Sequence, residues 1–391
     1  MTTATHQAAP NRLARGTILA AATLTIMAPA AIAPSLPAME QVFADQPGAS
    51  LLVRLAMTVT SLTIAVSAPV SGLAADRFGR RPLLVFSLVL YAVIGTSGYF
   101  VADLWLLLAS RAVLGVAVGG VMTAVSATIA DWFEGPERAS FLGLQQAAAS
   151  LGGVVFLPLA GLLATFDWRA PFWLYGLAAL VALAAMRFVH ERPRAFTPEV
   201  GGGSGRSVLA RVLGVYVLAL GATMVFYMAP TQVPFLLEGL GAGPVLVGLV
   251  IAGSTVSSAI GGLAFPVLRR YVHSNAIIKI GVASLGAGWL LIGVTGTALG
   301  TTAGLLVGGL GLGFSVPTIT LRLAELAPPA WSGRALSGLV TAIFFGQFIS
   351  PLVVQPVIQA VGVIDSFTWS GTVMIAGALA ATIVSMPFRA R

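Results

Sequence analysis

The feature that most constrains this chain is the recurrence of apolar runs of about twenty residues or more, parted only by short polar or glycine- and proline-rich breaks. A hydrocarbon core of about 30 Å is crossed by around 20 apolar residues in helical conformation. Backbone amides find no water inside lipid, so each run must satisfy its own hydrogen bonds, which makes it a helix. The breaks place spans near 17–39, 52–75, 83–101, 104–130, 139–164 and 170–189, then 209–237, 243–268, 276–297, 300–324, 333–360 and 366–387. The expectation is an all-α membrane protein of twelve transmembrane helices embedded in a lipid bilayer. Charge agrees: 9% of the residues are charged, against about 25% in soluble domains, too few to cover a soluble surface.

Arginine orients the chain. With both termini cytoplasmic, 18 of the 21 basic residues fall in inner segments, leaving Arg54, Arg111 and Arg169 in the outer half or beyond. Carboxylates show no such bias, as the positive-inside rule expects. The net charge of +8 therefore reports orientation rather than nucleic-acid binding, and no nucleic-acid partner is expected. The N-terminal segment Met1 to Gly16 is polar and leads into an apolar run too long for a signal peptide, so no cleavable leader is expected. Cysteine is absent, which excludes disulfides and thiolate chemistry. His6, His190 and His273 lack metal-ligand spacing, and no nucleotide-binding or nucleophile motif occurs. The chain is expected to be neither an enzyme nor an ATP-driven pump, with no metal and no cofactor.

The sequence also divides in two. His190 to Ser207 is the longest non-apolar stretch and holds Gly201-Gly202-Gly203-Ser204-Gly205, the composition of a flexible linker. The division is therefore residues 1–189, a cytoplasmic linker at 190–208, and residues 209–391. Met27-Ala28-Pro29 in the first span echoes Met228-Ala229-Pro230 in the seventh, and Gly72-Leu73-Ala74 with Arg80-Arg81 echoes Gly262-Leu263-Ala264 with Arg269-Arg270. The second copy carries Pro266 where the first has Asp76. Duplicated six-helix units are a common plan of secondary transporters, with the substrate between the repeats near mid-membrane.

Between the second and third runs lies the densest ionic cluster of the chain, Gly72-Leu73-Ala74-Ala75-Asp76-Arg77-Phe78-Gly79-Arg80-Arg81. Its pattern resembles the signature loop of the major facilitator superfamily. The resemblance implies two pseudo-symmetric six-helix bundles working by alternating access. It implies a cytoplasmic latch of Gly72, Asp76, Arg77, Gly79, Arg80 and Asp131, in which Asp76 caps the helix beginning near Ser332 to Ala335 while Arg77 and Arg80 pair with Asp131. Ser110-Arg111 with Gly115, Gly119 and Gly120 is similar to the family's fourth-helix motif, which implies a part for Arg111 in proton coupling. A guanidinium reaching toward the outer interface is the other reading of Arg111. Gly153, Pro158 and Gly161 resemble the fifth-helix antiporter motif in part, since Leu157 and Leu162 replace glycines; close helix packing accounts for the same residues.

The first span lacks the mid-membrane aspartate of many drug antiporters in that family. Glu40 and Glu238, at equivalent outer ends of the first and seventh spans, are the outer proton-coupling candidates. Family architecture directs Thr25, Met27, Phe226, Tyr227, Gln232, Thr318, Phe345 and Gln347 toward a substrate cavity. These are aromatic walls with a few neutral hydrogen-bonding groups, suited to an amphipathic or uncharged small molecule. The functional expectation is proton-coupled efflux of such a molecule by a monomer in a bacterial inner membrane. Uptake symport or facilitated diffusion remains a second reading, and a transporter-fold receptor or lipid handler without flux a third.

Overall fold

The computed structural model describes residues 11–191, 206–326 and 332–384, and among them the chain is helical with no strand. Twelve helices are long and apolar enough to cross a membrane: α1 Arg12–Val42, α2 Ala49–Phe78, α3 Arg80–Ser97, α4 Leu104–Trp132, α5 Ser140–Ala164, α6 Ala170–Phe188, α7 Arg211–Gly239, α8 Pro244–Tyr271, α9 Ser274–Thr295, α10 Ala298–Leu323, α11 Ala335–Val361 and α12 Val363–Thr382. Several begin earlier than the apolar runs, because a helix propagates through polar residues once nucleated. The end of the last expected span, 385–387, and most of the expected linker lie outside the described residues.

Caps set the ends. Asn11 accepts from the amide of Ala14 at 2.7 Å and Asp103 from that of Leu106 at 2.8 Å, each satisfying an orphan donor of the first turn. Gly79 alone separates α2 from α3, at φ +97. A side chain there would be strained and would also meet the Glu191 carboxylate, whose Oε1 lies 2.0 Å from where a Cβ would stand.

The repeated Met-Ala-Pro tripeptides mark irregularities in α1 and α7. In α1 the regular helix ends at Ala30, passes through a 3₁₀ turn at Ala33–Ser35 and resumes at Leu36–Val42. In α7 it ends at Phe226 and resumes at Met228. Pro230 cannot donate to the carbonyl of Phe226 and its ring crowds that carbonyl, which places the interruption four residues upstream.

With twelve crossings, one face of the bundle carries Arg12, the α2–α3 turn and the ends of α4 and α10. We call it the terminal face and its opposite the far face. Contact between the first six helices and the last six is tight toward the far face. A Cβ on Gly161 of α5 would lie 2.5 Å from the Pro244 carbonyl oxygen of α8, and one on Gly248 of α8 would lie 2.4 Å from that of Leu157. Leu36 and Met39 of α1 and Val233 and Leu237 of α7 are wholly buried there, in one apolar core that includes residues of both halves. Toward the terminal face the cores part: Val212, Ala219, Ile319, Leu323, Ala335 and Leu339 form a separate cluster inside the last six helices. Gly72 and Gly143, on the terminal halves of α2 and α5, have open space where a Cβ would stand.

Candidate functional site

The polar groups gather at three levels. At the terminal face, Arg80 forms an ion pair with Asp131, its Nε 2.9 Å from Oδ2, reaches Asp76 at 3.3 Å and gives a hydrogen bond to the Ala75 carbonyl at 2.8 Å. Its backbone amide donates to Glu191 Oε1 at 2.6 Å, so the chain leaving α6 caps the first turn of α3 with an anion. The Arg80 side chain is 12% exposed and that of Asp131 22%, which makes this pair less screened than a surface ion pair. Arg77 lies apart from that pair, with its guanidinium 5.6 Å over the ring of Phe78. The expected cap by Asp76 falls on side chains at 332–334 that lie outside the description; Asp76 itself is 58% exposed.

Deeper in the first six helices, Arg111 of α4 is fully buried. One amino group donates to the Ile94 and Gly95 carbonyls of α3 at 3.1 and 3.0 Å, and the guanidinium carbon sits 4.9 and 5.1 Å from the rings of Phe172 and Tyr175 of α6. Gly95 and Gly98 admit this arrangement, since a Cβ on either would collide with Tyr175 or Phe172. Tyr175 donates to the Ala28 carbonyl at 2.8 Å and Tyr91 to that of Leu24 at 2.7 Å, which ties the cluster to α1 beside its irregular stretch. Arg111 thus fastens α3 and α6 to α4. It points into that bundle and does not snorkel to an interface. Its Nη1 is buried without a hydrogen-bond partner.

The third level closes the far face. Arg54 of α2, 4% exposed, pairs with Glu40 of α1 at 2.8 Å and donates from Nε to Gln232 Oε1 of α7 at 3.0 Å. The ring of Phe235 lies 3.7 Å from its guanidinium carbon. Gln41 donates to Glu238 at 2.8 Å, Ser61 to Gln347 of α11 at 2.8 Å, and Gln355 of α11 to Ser50 at 3.3 Å. These three bonds and that of Arg54 to Gln232 cross between the first and last six helices, from mid-span outward. Gly153, Pro158 and Gly161 lie along the α5–α8 contact, where Gly153 faces Thr255 and Ile26.

A model of the Major Facilitator Superfamily matches residues 18–351, with the Asp76-to-Arg81 turn and Arg111 inside the match. The chain belongs to the major facilitator superfamily. Among curated relatives, the class C tetracycline resistance protein of Escherichia coli is 29% identical over 341 residues, covering 82% of each chain. A triacylglyceride transporter of Mycobacterium tuberculosis is 30% identical over 234 residues, which spans 58% of this chain and 42% of that one. Two solved structures share the fold: a D-xylose–proton symporter with TM-score 0.75 at 17% identity, covering 94% of this chain and 96% of that one, and a POT family transporter with TM-score 0.77 at 13% identity, covering 95% and 96%.

Within this major facilitator fold the expected cavity residues divide. Thr25, Phe226 and Gln347 are half-buried and Phe345 is 39% exposed, whereas Met27, Gln232 and Thr318 are wholly buried and Tyr227 nearly so. Phe226 stacks on Trp289 at 6.3 Å, and Thr318 returns its hydroxyl to the Phe314 carbonyl. Gln232 belongs to the far closure. Glu40 and Glu238 also lie there, Glu40 paired to Arg54 and Glu238 exposed. Reading the sequence by family motifs passes over Arg54, Gln41 and Ser61. One signal was present: Arg54 is among the three basic residues that break the arginine asymmetry.

Proposed function

We propose that this membrane transporter exports a small amphipathic or uncharged organic molecule by alternating access, in exchange for protons. The observation that carries the reading is a far face shut by bonds between the two halves, combined with a mid-span region whose inter-half polar groups are neutral. Ser61, Gln347 and Tyr227 stand there, while the described carboxylates nearest the path, Asp76, Asp131, Glu40 and Glu238, lie at its two ends. A neutral interior favours a neutral or amphipathic cargo, because an ionic one would lose hydration with no partner to replace it. Efflux is supported by the relative named for tetracycline resistance, which aligns over most of both chains. Under this reading the terminal face is cytoplasmic, the membrane is a bacterial inner membrane, residues 190–208 are a cytoplasmic linker between six-helix halves that rock as units, and the proton gradient supplies about 2.3 kcal/mol per charge per 100 mV.

The test is purified full-length protein in proteoliposomes with an internal pH dye, an acid interior, and tetracycline among a panel of amphipathic compounds added outside. Antiport raises internal pH when a substrate is added. Substrate entry without proton movement replaces antiport by facilitated diffusion, and co-movement of protons with substrate replaces it by symport. Lipid handling is the second reading, favoured by the triacylglyceride transporter relatives. Transfer of labelled triacylglyceride between leaflets, with no response to any soluble compound, would select it.

A further inference from the structure

Met27-Ala28-Pro29 and Met228-Ala229-Pro230 stand at equivalent places in α1 and α7, yet the two helices yield on opposite sides of their prolines. In α7 the regular helix stops at Phe226, before Pro230, and restarts at Met228. In α1 it runs through Pro29 to Ala30 and gives way only at the turn that precedes Leu36. Proline alone does not account for the difference, because each removes the same ladder bond. The aromatic side chains packed behind the two helices do.

Tyr91 of α3 and Trp289 of α9 are wholly buried, and each stands six residues before the last residue of its helix, Ser97 and Thr295. Tyr91 donates from its hydroxyl to the Leu24 carbonyl at 2.7 Å, and Trp289 donates from Nε1 to the Val225 carbonyl at 3.1 Å. Both acceptors lie five residues before the proline. A second buried ring stands edge-on to each donor with centroids 5.8 Å apart, Tyr175 of α6 against Tyr91 and Phe367 of α12 against Trp289. Here the halves differ by one oxygen. Tyr175 donates to the Ala28 carbonyl at 2.8 Å, whereas Phe367 has no hydroxyl to give to Ala229, the equivalent residue.

We propose that Tyr91 and Trp289 are symmetry-related positioning residues that pin the terminal-side segments of α1 and α7, and that the Tyr175 hydroxyl, lacking at Phe367, decides on which side of its proline each helix yields. A helix that ends at Ala30 leaves the Ala28 carbonyl without a ladder donor, and a buried carbonyl left unpaired is costly. Tyr175 supplies that donor, so α1 breaks beyond Pro29. No hydroxyl stands at the same place in the last half. The Ala229 carbonyl is met instead within the helix Met228–Gly239, by the amide of Val233. The break in α7 therefore falls upstream, where Trp289 takes the Val225 carbonyl that the interruption frees. The α7 hinge lies at Tyr227 beside the half-buried Phe226, while that of α1 lies in the buried stretch 31–35. Where a solute occupies the mid-span, as in the reading above, it meets the hinge of α7 and not that of α1.

The hinge positions depend on packing and on neither cargo nor protons, and they are measured without either. Hydrogen exchange of the full-length protein in nanodiscs, resolved to single amides by fragmentation, reads where each helix opens. In the unsubstituted protein amides 228–229 are expected to exchange about three- to tenfold faster than their equivalents 27–28, the effect of one hydrogen bond. Tyr175→Phe removes one oxygen and keeps the ring. It should move the fast amides of α1 from 32–33 to 27–28, reproducing the pattern of α7. Phe367→Tyr should do the reverse and slow 228–229; because it adds an oxygen at a buried site, the Tyr175→Phe result decides alone if that variant does not fold. Trp289→Phe should speed exchange across 224–229 by about three- to tenfold, and Trp289→Tyr, which copies the donor of Tyr91, should recover part of the slow rate. General loosening would speed α3 and α9 as well, whereas loss of a brace changes α1 or α7 alone. Equal rates at 27–28 and 228–229, or a Tyr175→Phe protein whose fast amides stay at 32–33, overturns the proposal. Neither result bears on the proton flux or cargo response of the previous section, which stand or fall by their own assay.

Discussion

The α5–α8 contact makes a prediction that can be worked through in numbers. Gly248→Ala would place a methyl carbon 2.4 Å from the Leu157 carbonyl oxygen, 3.0 Å from its carbon and 3.2 Å from Cα of Pro158. Ordinary contact begins near 3.4 Å, so the oxygen must retreat by about 1 Å, and it belongs to a backbone stiffened by the adjacent proline ring. No side-chain rotation relieves the clash; α5 and α8 must separate. Overpacking of this kind costs about 1–3 kcal/mol, and the cost falls only on the state with the far face closed. At 1.4 kcal/mol per tenfold, the equilibrium should move toward far-face opening by roughly 5- to 150-fold. Spin labels on Thr165→Cys and Leu240→Cys, in the far-face connections after α5 and α7, would read this as growth of a longer-distance population. Gly143→Ala on the terminal half of α5, where a Cβ meets nothing within 4 Å, should leave the distribution unchanged. A folded Gly248→Ala protein whose distances match the unsubstituted protein would refute the claim that this helix pair holds the face shut.

Other expectations follow from the remaining contacts. Arg111→Lys removes a planar donor that serves two carbonyls and lies beside two rings, so it should lower stability by about 2–4 kcal/mol, read as a drop in melting temperature in detergent; equal melting would mean that the cluster does not fasten α3 and α6. Gly79→Ala combines a left-handed φ, costing about 1–2 kcal/mol, with the clash against Glu191. Adding Glu191→Ala should recover part of the loss, and a strictly additive double variant would contradict the contact. Asp131→Asn leaves Arg80 with a neutral partner and should weaken the hold on the α2–α3 turn by about 0.5–1 kcal/mol, seen as faster hydrogen exchange of the amides from 76 to 81; unchanged exchange would make the ion pair incidental.

Most of the architecture was legible in order along the chain. Length of apolar run, the spacing of breaks and the placement of arginine are one-dimensional quantities, and the bilayer converts them directly into helix number, because a continuous apolar run of about twenty residues satisfies its own backbone in lipid only as a helix. The Asp76-to-Arg81 turn was legible because its residues are neighbours in sequence, although Arg77 lies over Phe78 while Arg80 takes Asp131.

What the sequence left open depends on contacts between distant segments. That Arg111 reaches the α3 carbonyls, that Gln232 is buried against Arg54, and that Arg54 meets Glu40 and Phe235 all require knowing which helix faces which. Hydrophobicity carries no such information here: lipid and helix interior are equally apolar, so a residue on the bundle surface looks like one in the core. The packing of glycines such as Gly161 and Gly248 against opposing carbonyls chooses the partners, and through them it places each charge in lipid, in water or in the seam between the halves.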